Sequence, residues 1–405
     1  MPDRPPLTVV GIGADGWAGL TEPARAAVRG AEVLFGGARQ LALLDGNATG
    51  ERIAWPSPLL PALPGLLTAH AGRTVCVLAS GDPMFFGIGA TLTRLLGPES
   101  VRVVPHPSSV SLACARLGWP LEDVEVISTV GRAVAAVHRS VQPGRRLLVL
   151  CAGGDTPAAV AALLAGRGYA GSELTVLESL GGPGERVRTG TAGRWGDQTA
   201  GPLSIVAVRC RADAGAPLLP AVPGLPDGAY DHDGQLTKRE VRAITLARLA
   251  PVPGHLLWDV GAGAGSIAIE WLRAGRGCRA VAVERHPDRA ARCAANAAAL
   301  GVPELRVVVG AAPGALAGLD PPDAVFVGGG ASVPGLIDRC WEALAPGGRL
   351  VVNAVTISSE RLLAEAYERH GGDLTRIAVS RAAPIGGFTG WRAMAPVTQW
   401  AVTKR

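Results

Sequence analysis

Asp259-Val260-Gly261-Ala262-Gly263-Ala264-Gly265 closes the apolar run Leu256 to Val260, and Glu284 closes the next one, Arg279 to Val283. The order is strand, glycine turn, helix, strand, acidic residue. Glycines let a backbone turn without Cβ clashes and come close to a ligand. A helix starting near Ser266 aims its free N–H groups at the same place. Glu284 is then positioned to accept hydrogen bonds from two ribose hydroxyls. The dinucleotide fingerprint G-x-G-x-x-G spends its third glycine on room for pyrophosphate, whereas the spacing here is G-x-G-x-G, shorter by one. A nucleoside without pyrophosphate fits better, and S-adenosylmethionine (SAM) is the common one. Gly261, Ala262, Gly263, Ala264, Gly265 and Glu284 are therefore the expected cofactor site. The bland alternative is a tight strand-to-helix turn of any α/β protein.

At 405 residues the chain exceeds one ordinary core. A hydrophobic content of 48% against 18% charged residues marks a globular protein. The net charge of +5 raises the question of nucleic acid, but Lys238 and Lys404 are the only lysines and the arginines are scattered singly. That pattern reads as composition bias, and no nucleic-acid partner is expected; arginine also suits a substrate with several carboxylates. Seven cysteines occur without a C-x-x-C pair or a Cys/His cluster, so no metal site is expected and buried reduced thiols are the default. With no apolar signal core after Met1-Pro-Asp-Arg-Pro-Pro and no uninterrupted apolar stretch of about 18 residues, a cytoplasmic protein without a membrane span is expected.

Strand and helix signals alternate from Leu7 to about Arg209, lapse over 212–235, and resume from Leu236. The pattern predicts two α/β domains, 1–211 and 236–405, joined by an extended Pro/Gly/Ala-rich linker at 212–235. The second domain reads as a helix over 238–249 and five buried parallel strands near 256–260, 279–284, 305–309, 323–327 and 349–355. A helix over 359–370 and two strands near 374–380 and 396–403, paired as a hairpin, complete seven strands, with Ala382 to Trp391 as a loop over the carboxyl edge. That is a Rossmann-like architecture. In the first half, strand Leu7 to Ile12 runs into Gly11-Ile12-Gly13-Ala14-Asp15-Gly16, and strand Thr74 to Ala79 ends in Ser80-Gly81-Asp82-Pro83. No acidic residue stands at a ribose position after its second strand, so the halves are not a duplication.

Gly11 to Gly16, Leu78 to Gly87 and Pro105-His106-Pro107-Ser108-Ser109-Val110-Ser111 resemble the tetrapyrrole methylase family. Leu180-Gly181-Gly182-Pro183-Gly184-Glu185-Arg186 resembles its cobalamin-synthesis branch. The second half, from Thr237-Lys238-Arg239-Glu240-Val241-Arg242 through the glycine turn and Val283 to Pro287 to Gly347 to Asn353, is similar to the decarboxylating precorrin methyltransferases. The resemblance implies a two-lobed class III methyltransferase fold first and a seven-stranded class I fold second, each holding one SAM. By motif it implies that Gly11, Gly13, Asp15, Gly81, Asp82, Pro83, Ser108 and Ser109 line the first cleft, and that Thr237 and Ala312 join the glycine turn and Glu284 around SAM in the second. It further implies methylation of a precorrin at C-5 by the first domain, methylation at C-15 with loss of the ring C acetate carboxyl by the second, and homo-oligomeric assembly. Two departures stand out. Gly310-Ala311-Ala312-Pro313 has alanine where relatives often carry an adenine-binding aspartate, and Ser128-Thr129-Val130-Gly131-Arg132 lacks a histidine that often precedes Gly-Arg.

Methyl transfer to carbon asks chiefly for alignment of donor and nucleophile, and no residue is assigned to proton transfer. A substrate with eight carboxylates wants cations at the rim. Arg381 and Arg392, flanking the Ala382 to Trp391 segment, are candidate clamps, and Asn353 stands at the catalytic edge; an ordinary solvated arginine and a capping amide are the alternatives. Asp82 is either a cleft carboxylate or the holder of an Asx-turn. His106 and His286, each before proline, read as turn residues. Three other readings compete: another tetrapyrrole or a nucleic acid as methyl acceptor, a dehydrogenase, and a SAM-binding protein with one inactive half. Against nucleic acid, the strand Asp323 to Val327 runs into Gly328-Gly329-Gly330, not into a Pro-Pro-aromatic grip for a flipped base.

Overall fold

Runs that are apolar on both faces can form sheets only where helices cover both sides, and both halves obey this. The computed structural model describes residues 6–405. The chain divides into two compact units: residues up to Val134 with Pro143–Ala216, and Ala135–Gln142 with Pro217–Arg405.

The first unit has two sheets. Strands β1 (Leu7–Ile12), β2 (Val33–Gly36), β3 (Glu51–Ala54), β4 (Val75–Ser80) and β5 (Val101–Val104) form a parallel sheet of order β3-β2-β4-β1-β5. Strands β6 (Val124–Ser128), β7 (Arg146–Leu150), β8 (Glu173–Glu178), β9 (Arg186–Thr191) and β10 (Ser204–Arg209) form a mixed sheet of order β6-β7-β10-β8-β9. Only β6 and β7 run parallel there. Val9, Val10, Leu34, Phe35 and Val77 fill the core around the first sheet, Leu148, Val176 and Val206 that of the second.

The second unit is built on β11 (Leu256–Val260), β12 (Arg279–Glu284), β13 (Arg306–Val309), β14 (Ala324–Val327), β15 (Arg349–Ala354), β16 (Asp373–Ile377) and, after a two-stranded ribbon of β17 (Ser380–Ile385) and β18 (Phe388–Ala393), β19 (Val397–Thr403). The seven-stranded order is β13-β12-β11-β14-β15-β19-β16, with β19 antiparallel to both neighbours. Strand order reverses between β11 and β14, where ligands of open α/β sheets bind. Trp258, Trp271 and Trp400 are fully buried around this sheet. No helix among the described residues is long and apolar enough to cross a membrane, and all seven cysteines are buried and outside any disulfide.

Two expectations change. The segment read as an extended linker is docked from Pro217 onward. Leu225 and Tyr230 are buried in the second core, and buried Glu270 accepts from Gly224 N (2.5 Å), Leu225 N (3.1 Å), Tyr230 Oη (2.8 Å) and Arg242 Nε (2.6 Å). A buried carboxylate is tolerated because four donors, one of them a guanidinium, meet its two oxygens. The second change is at Ala382 to Trp391, which is ribbon and not loop. Gly386-Gly387 makes its turn, a hairpin signature that outweighs the poor strand propensity of Pro384 and Gly390.

Candidate cofactor and substrate sites

At the end of β11 the chain turns through Gly261, Gly263 and Gly265 with φ of 73°, 57° and 79°. Gly265 shows why a side chain is excluded. Its left-handed φ strains any L-residue, and a Cβ there would run into Cys293 Sγ on helix Pro287–Ala299. The turn thus lies flat between helix Ser266–Ala274 and its neighbours, leaving Ala262 half-buried and Ala264 buried.

Glu284 ends β12 beside this turn and is buried. Its Oε2 accepts from Gly263 N at 2.9 Å and its Oε1 from His286 N at 3.0 Å. Each oxygen keeps a lone pair for a ligand. Asp259, named in the opening motif but not proposed as a site residue, stands behind it. Its Oδ2 accepts from Ala268 N at 3.0 Å, while Oδ1 is buried without a partner. Burial pushes its carboxyl up to about 7, against that hydrogen bond and with help from the charge of Glu284. Two acids at one turn, with no cation among their hydrogen-bond partners, suit a positively charged nucleoside, and the residues fit SAM.

Ala312 follows β13, next to the ribose-side strand, and Gly310 N donates to Glu284 O at 2.9 Å, so the expected adenine wall adjoins Glu284. Thr237 lies just ahead of helix Arg239–Leu249, and its carbonyl accepts from Arg242 Nη1 at 2.5 Å. Asn353 is occupied: its Nδ2 donates to Thr245 Oγ1 at 3.2 Å and its Oδ1 accepts from Gln399 Nε2 at 2.8 Å, tying helix to sheet. Arg381 is also occupied, by Glu240 at 2.5 Å and Asp227 at 3.1 Å, and that hydrogen bond holds Glu240 below its usual range. It anchors the ribbon. Arg392, opposite it in register, has no ion-pair partner among the described residues and keeps a cation available.

The first unit holds a cavity of about 450 Å³ between its two sheets. Gly13, Gly81, Asp82, Ser108 and Ser109 line it, whereas Gly11, Asp15 and Pro83 do not. Gly11 is required by close approach, since a Cβ would strike the Gly81 carbonyl and come within 2.8 Å of His106 N. Asp82 Oδ1 accepts from Met84 N at 2.8 Å, so its Asx-turn is real and Pro83 is held by it. Ser108 caps helix Ser109–Leu117 by accepting from Ser111 N at 3.0 Å, which turns that helix N-terminus toward the cleft. Asp15 Oδ1 lies 3.3 Å from His106 Nε2, a pair the sequence reading missed by treating His106 as a turn residue. Trp55, Phe85 and Phe86 give the cleft an aromatic side, Phe85 and Phe86 meeting edge to face at 4.9 Å.

These two builds define the class: an α/β protein carrying a two-lobed class III methyltransferase fold and a seven-stranded Rossmann-like class I fold. Family models agree, one for tetrapyrrole (corrin/porphyrin) methylases matching residues 6–195 and one for a precorrin methyltransferase domain matching 228–404. A precorrin-6Y C(5,15)-methyltransferase (decarboxylating) of Sinorhizobium sp is 50% identical over 99% of this chain and 97% of its own. A cobalt-precorrin-7 C(5)-methyltransferase of Salmonella typhimurium is 33% identical over 45% of this chain and 88% of its own. A protein of Pyrobaculum calidifontis named "Probable cobalt-precorrin-6B C(15)-methyltransferase (decarboxylating)" is 36% identical over 44% of this chain and 94% of its own. The chain belongs to the precorrin-6Y C(5,15)-methyltransferase (decarboxylating) family and is a methyltransferase.

Proposed function

We propose that the chain converts precorrin-6B to precorrin-8X in cobalamin synthesis, methylating C-5 and C-15 and removing the carboxyl group of the ring C acetate, with SAM as donor in each unit. The observation that carries this is two unlike sites on one chain, a contiguous glycine turn with Glu284 and a 450 Å³ cleft between two sheets. Relatives named for the C(5) reaction alone and for the decarboxylating C(15) reaction alone each match under half of the chain, which supports one reaction per unit. We assign C-5 to the first unit, the tetrapyrrole methylase match, and C-15 with decarboxylation to the second.

Bound SAM supplies an electrophilic methyl group on a sulfonium. In the second unit, Glu284 fixes the nucleoside end by its remaining lone pairs while Gly261 to Gly265 and Ala312 wall it in. Asp259 and Glu284 together place negative charge beside the turn, which favours a cationic ligand over its neutral product. Arg392 is the cation left to meet a substrate carboxylate, since Arg381 is neutralised by Glu240 and Asp227. In the first unit, Phe85, Phe86 and Trp55 offer an apolar wall to a macrocycle, and the glycine at 13 leaves room for the side chains of Asp15 and His106. Holding donor and carbon nucleophile in line is the main catalytic contribution of both units.

Anaerobic incubation with precorrin-6B and SAM, followed by mass analysis, tests the reading. Two methyl gains with one carbon dioxide loss are expected; a single methyl gain without decarboxylation would remove the second unit's role.

A further inference from the structure

The first-unit cleft contains a guanidinium that no carboxylate neutralises. Arg39 is on the short helix Ala38–Ala42 after β2, and Ser80 ends the adjacent strand β4, so both reach the cleft from the carboxyl edge of one sheet. Arg39 Nη2 donates to Ser80 Oγ at 2.7 Å. With its amide nitrogen donating to Gly37 O at 3.2 Å, Gln40 turns its oxygen to Arg39 Nη2 (3.2 Å) and to Ser80 Oγ (2.5 Å). Every side-chain partner of Arg39 is neutral. Arg242, by contrast, is buried against Glu270 at 2.6 Å and Asp227 at 3.3 Å.

Taking a cation partly out of water without a counter-charge is unfavourable, and burial pulls the Arg39 guanidinium below the usual arginine range. The arrangement becomes favourable when an anion enters. A guanidinium has five N–H donors in one plane; Ser80 and Gln40 occupy Nη2 and fix that plane, leaving the N–H groups of Nε and Nη1 to donate to a carboxylate. Trp55, Phe85 and Phe86 add apolar surface to a lining that otherwise includes Asp82 and several serines. An aromatic surface and an unneutralised guanidinium in one cleft suit a ligand with an apolar body and a carboxylate fringe.

We propose that Arg39, oriented by Ser80 and Gln40, is a carboxylate-binding subsite of this cleft, taking an acidic side chain of the macrocycle or the amino-acid carboxylate of the methyl donor. It rests on the assignment of C-5 methylation to the first unit and names the chemistry that this unit recognises.

Titration of the full chain with S-adenosylhomocysteine and with 5′-methylthioadenosine, which keeps the nucleoside and lacks the amino-acid carboxylate, separates the two sources. If the donor's carboxylate is bound, Arg39→Met weakens one of the S-adenosylhomocysteine sites by roughly tenfold or more and leaves methylthioadenosine unchanged. If a macrocycle carboxylate is bound, both nucleosides bind as before, and KM for precorrin-6B in C-5 methylation rises by a similar factor while decarboxylation keeps its rate. Arg39→Lys recovers part of either loss, because charge survives without the planar set of donors. Changes within twofold in both arms overturn the proposal, as does an equal loss with methylthioadenosine, which would make Arg39 structural. A wild-type chain that leaves precorrin-6B unmethylated would sink the reaction assignment instead, and the titration alone would then decide on Arg39.

Discussion

The two sites reach the same end by opposite means. In the second unit the site is written in consecutive residues, Asp259 to Gly265, with Glu284 one strand away, and backbone N–H groups of the turn and of His286 already bind that carboxylate. In the first unit the cleft is assembled from loops far apart in sequence, Gly13, Arg39, Ser80 to Ile88, Ser108, Ser128, Ser179 and Ser204 among them, brought together by two sheets. A contiguous site depends on local backbone shape, whereas a dispersed one depends on how its sheets are placed. The two units should therefore fail separately and in different ways.

The largest expected effect is at Glu284. Glu284→Ala removes the proposed ribose acceptor and takes away the acceptor of the buried Gly263 N–H and of the His286 N–H. C-15 methylation and decarboxylation should fall at least about 100-fold, two or more charge-assisted bonds being lost, while C-5 methylation is spared. Product mass analysis reads both at once. Loss of both methylations together would show that the units do not divide the work.

Next in size is a matched pair of glycine changes. Gly265→Ala meets Cys293 Sγ at a left-handed φ of 79° and should destabilise the second unit by about 3 kcal/mol, measured by denaturant unfolding. Gly11→Ala instead drives a Cβ into the Gly81 carbonyl, pushing the two cleft loops apart. It should cost C-5 methylation more than tenfold with the C-15 reaction intact, since positioning errors of about 1 Å cost on the order of 100-fold. If Gly11→Ala leaves C-5 activity whole, close approach of these loops is not what shapes the cleft.

The contrast also explains what was legible. The places of the second sheet's strands along the chain and of Glu284 followed from apolar runs and a glycine spacing, because both are local. Asp259 was in view in the same motif, but its burial beside Glu284 is a tertiary fact, and only that separates it from any strand-terminal aspartate. The docked segment after Pro217 was illegible for the same reason. Its partners Glu270 and Arg242 lie 28 residues apart on two helices, and nothing in the Pro/Gly-rich stretch announces them. Arg39 gave no signal because its meaning lies in the acid that is missing, and the partners of Asn353 and Arg381, namely Thr245, Gln399, Glu240 and Asp227, are far from them in sequence.

A pH effect of intermediate size separates the units further. Native Asp259 holds its proton up to about 7, whereas the unfolded chain releases it near the ordinary aspartate value of 3.8. Between these values the native state binds more protons, so this group's contribution to stability falls as pH rises from about 4 to 7 and the cost persists above 7. Asp259→Asn should thus be near neutral at pH 4 and stabilising at pH 8, by at most about 4 kcal/mol, as thermal melts would show. A cationic donor favours the ionised carboxylate, so wild-type SAM binding at the second unit should strengthen roughly tenfold from pH 6 to 8. The same titration of Asp259→Asn should be flat. The first unit, whose unpaired group is an arginine, should show no such slope.

The smallest effect is expected at Asp82, and it bears most directly on how the dispersed cleft works. Its Oδ1 accepts from Met84 N at 2.8 Å, an oxygen that asparagine also supplies, so Asp82→Asn preserves the turn that presents Phe85 and Phe86. If the residue shapes the loop, C-5 methylation should change by less than about threefold, while Asp82→Ala should lower it more and cost about 1 kcal/mol of stability through the lost hydrogen bond. If its negative charge serves the chemistry, Asn and Ala would be equally damaging at unchanged stability. The ratio of the two variants therefore tells a loop-holding aspartate from a carboxylate that meets the ligand, a distinction the contiguous site makes by geometry alone.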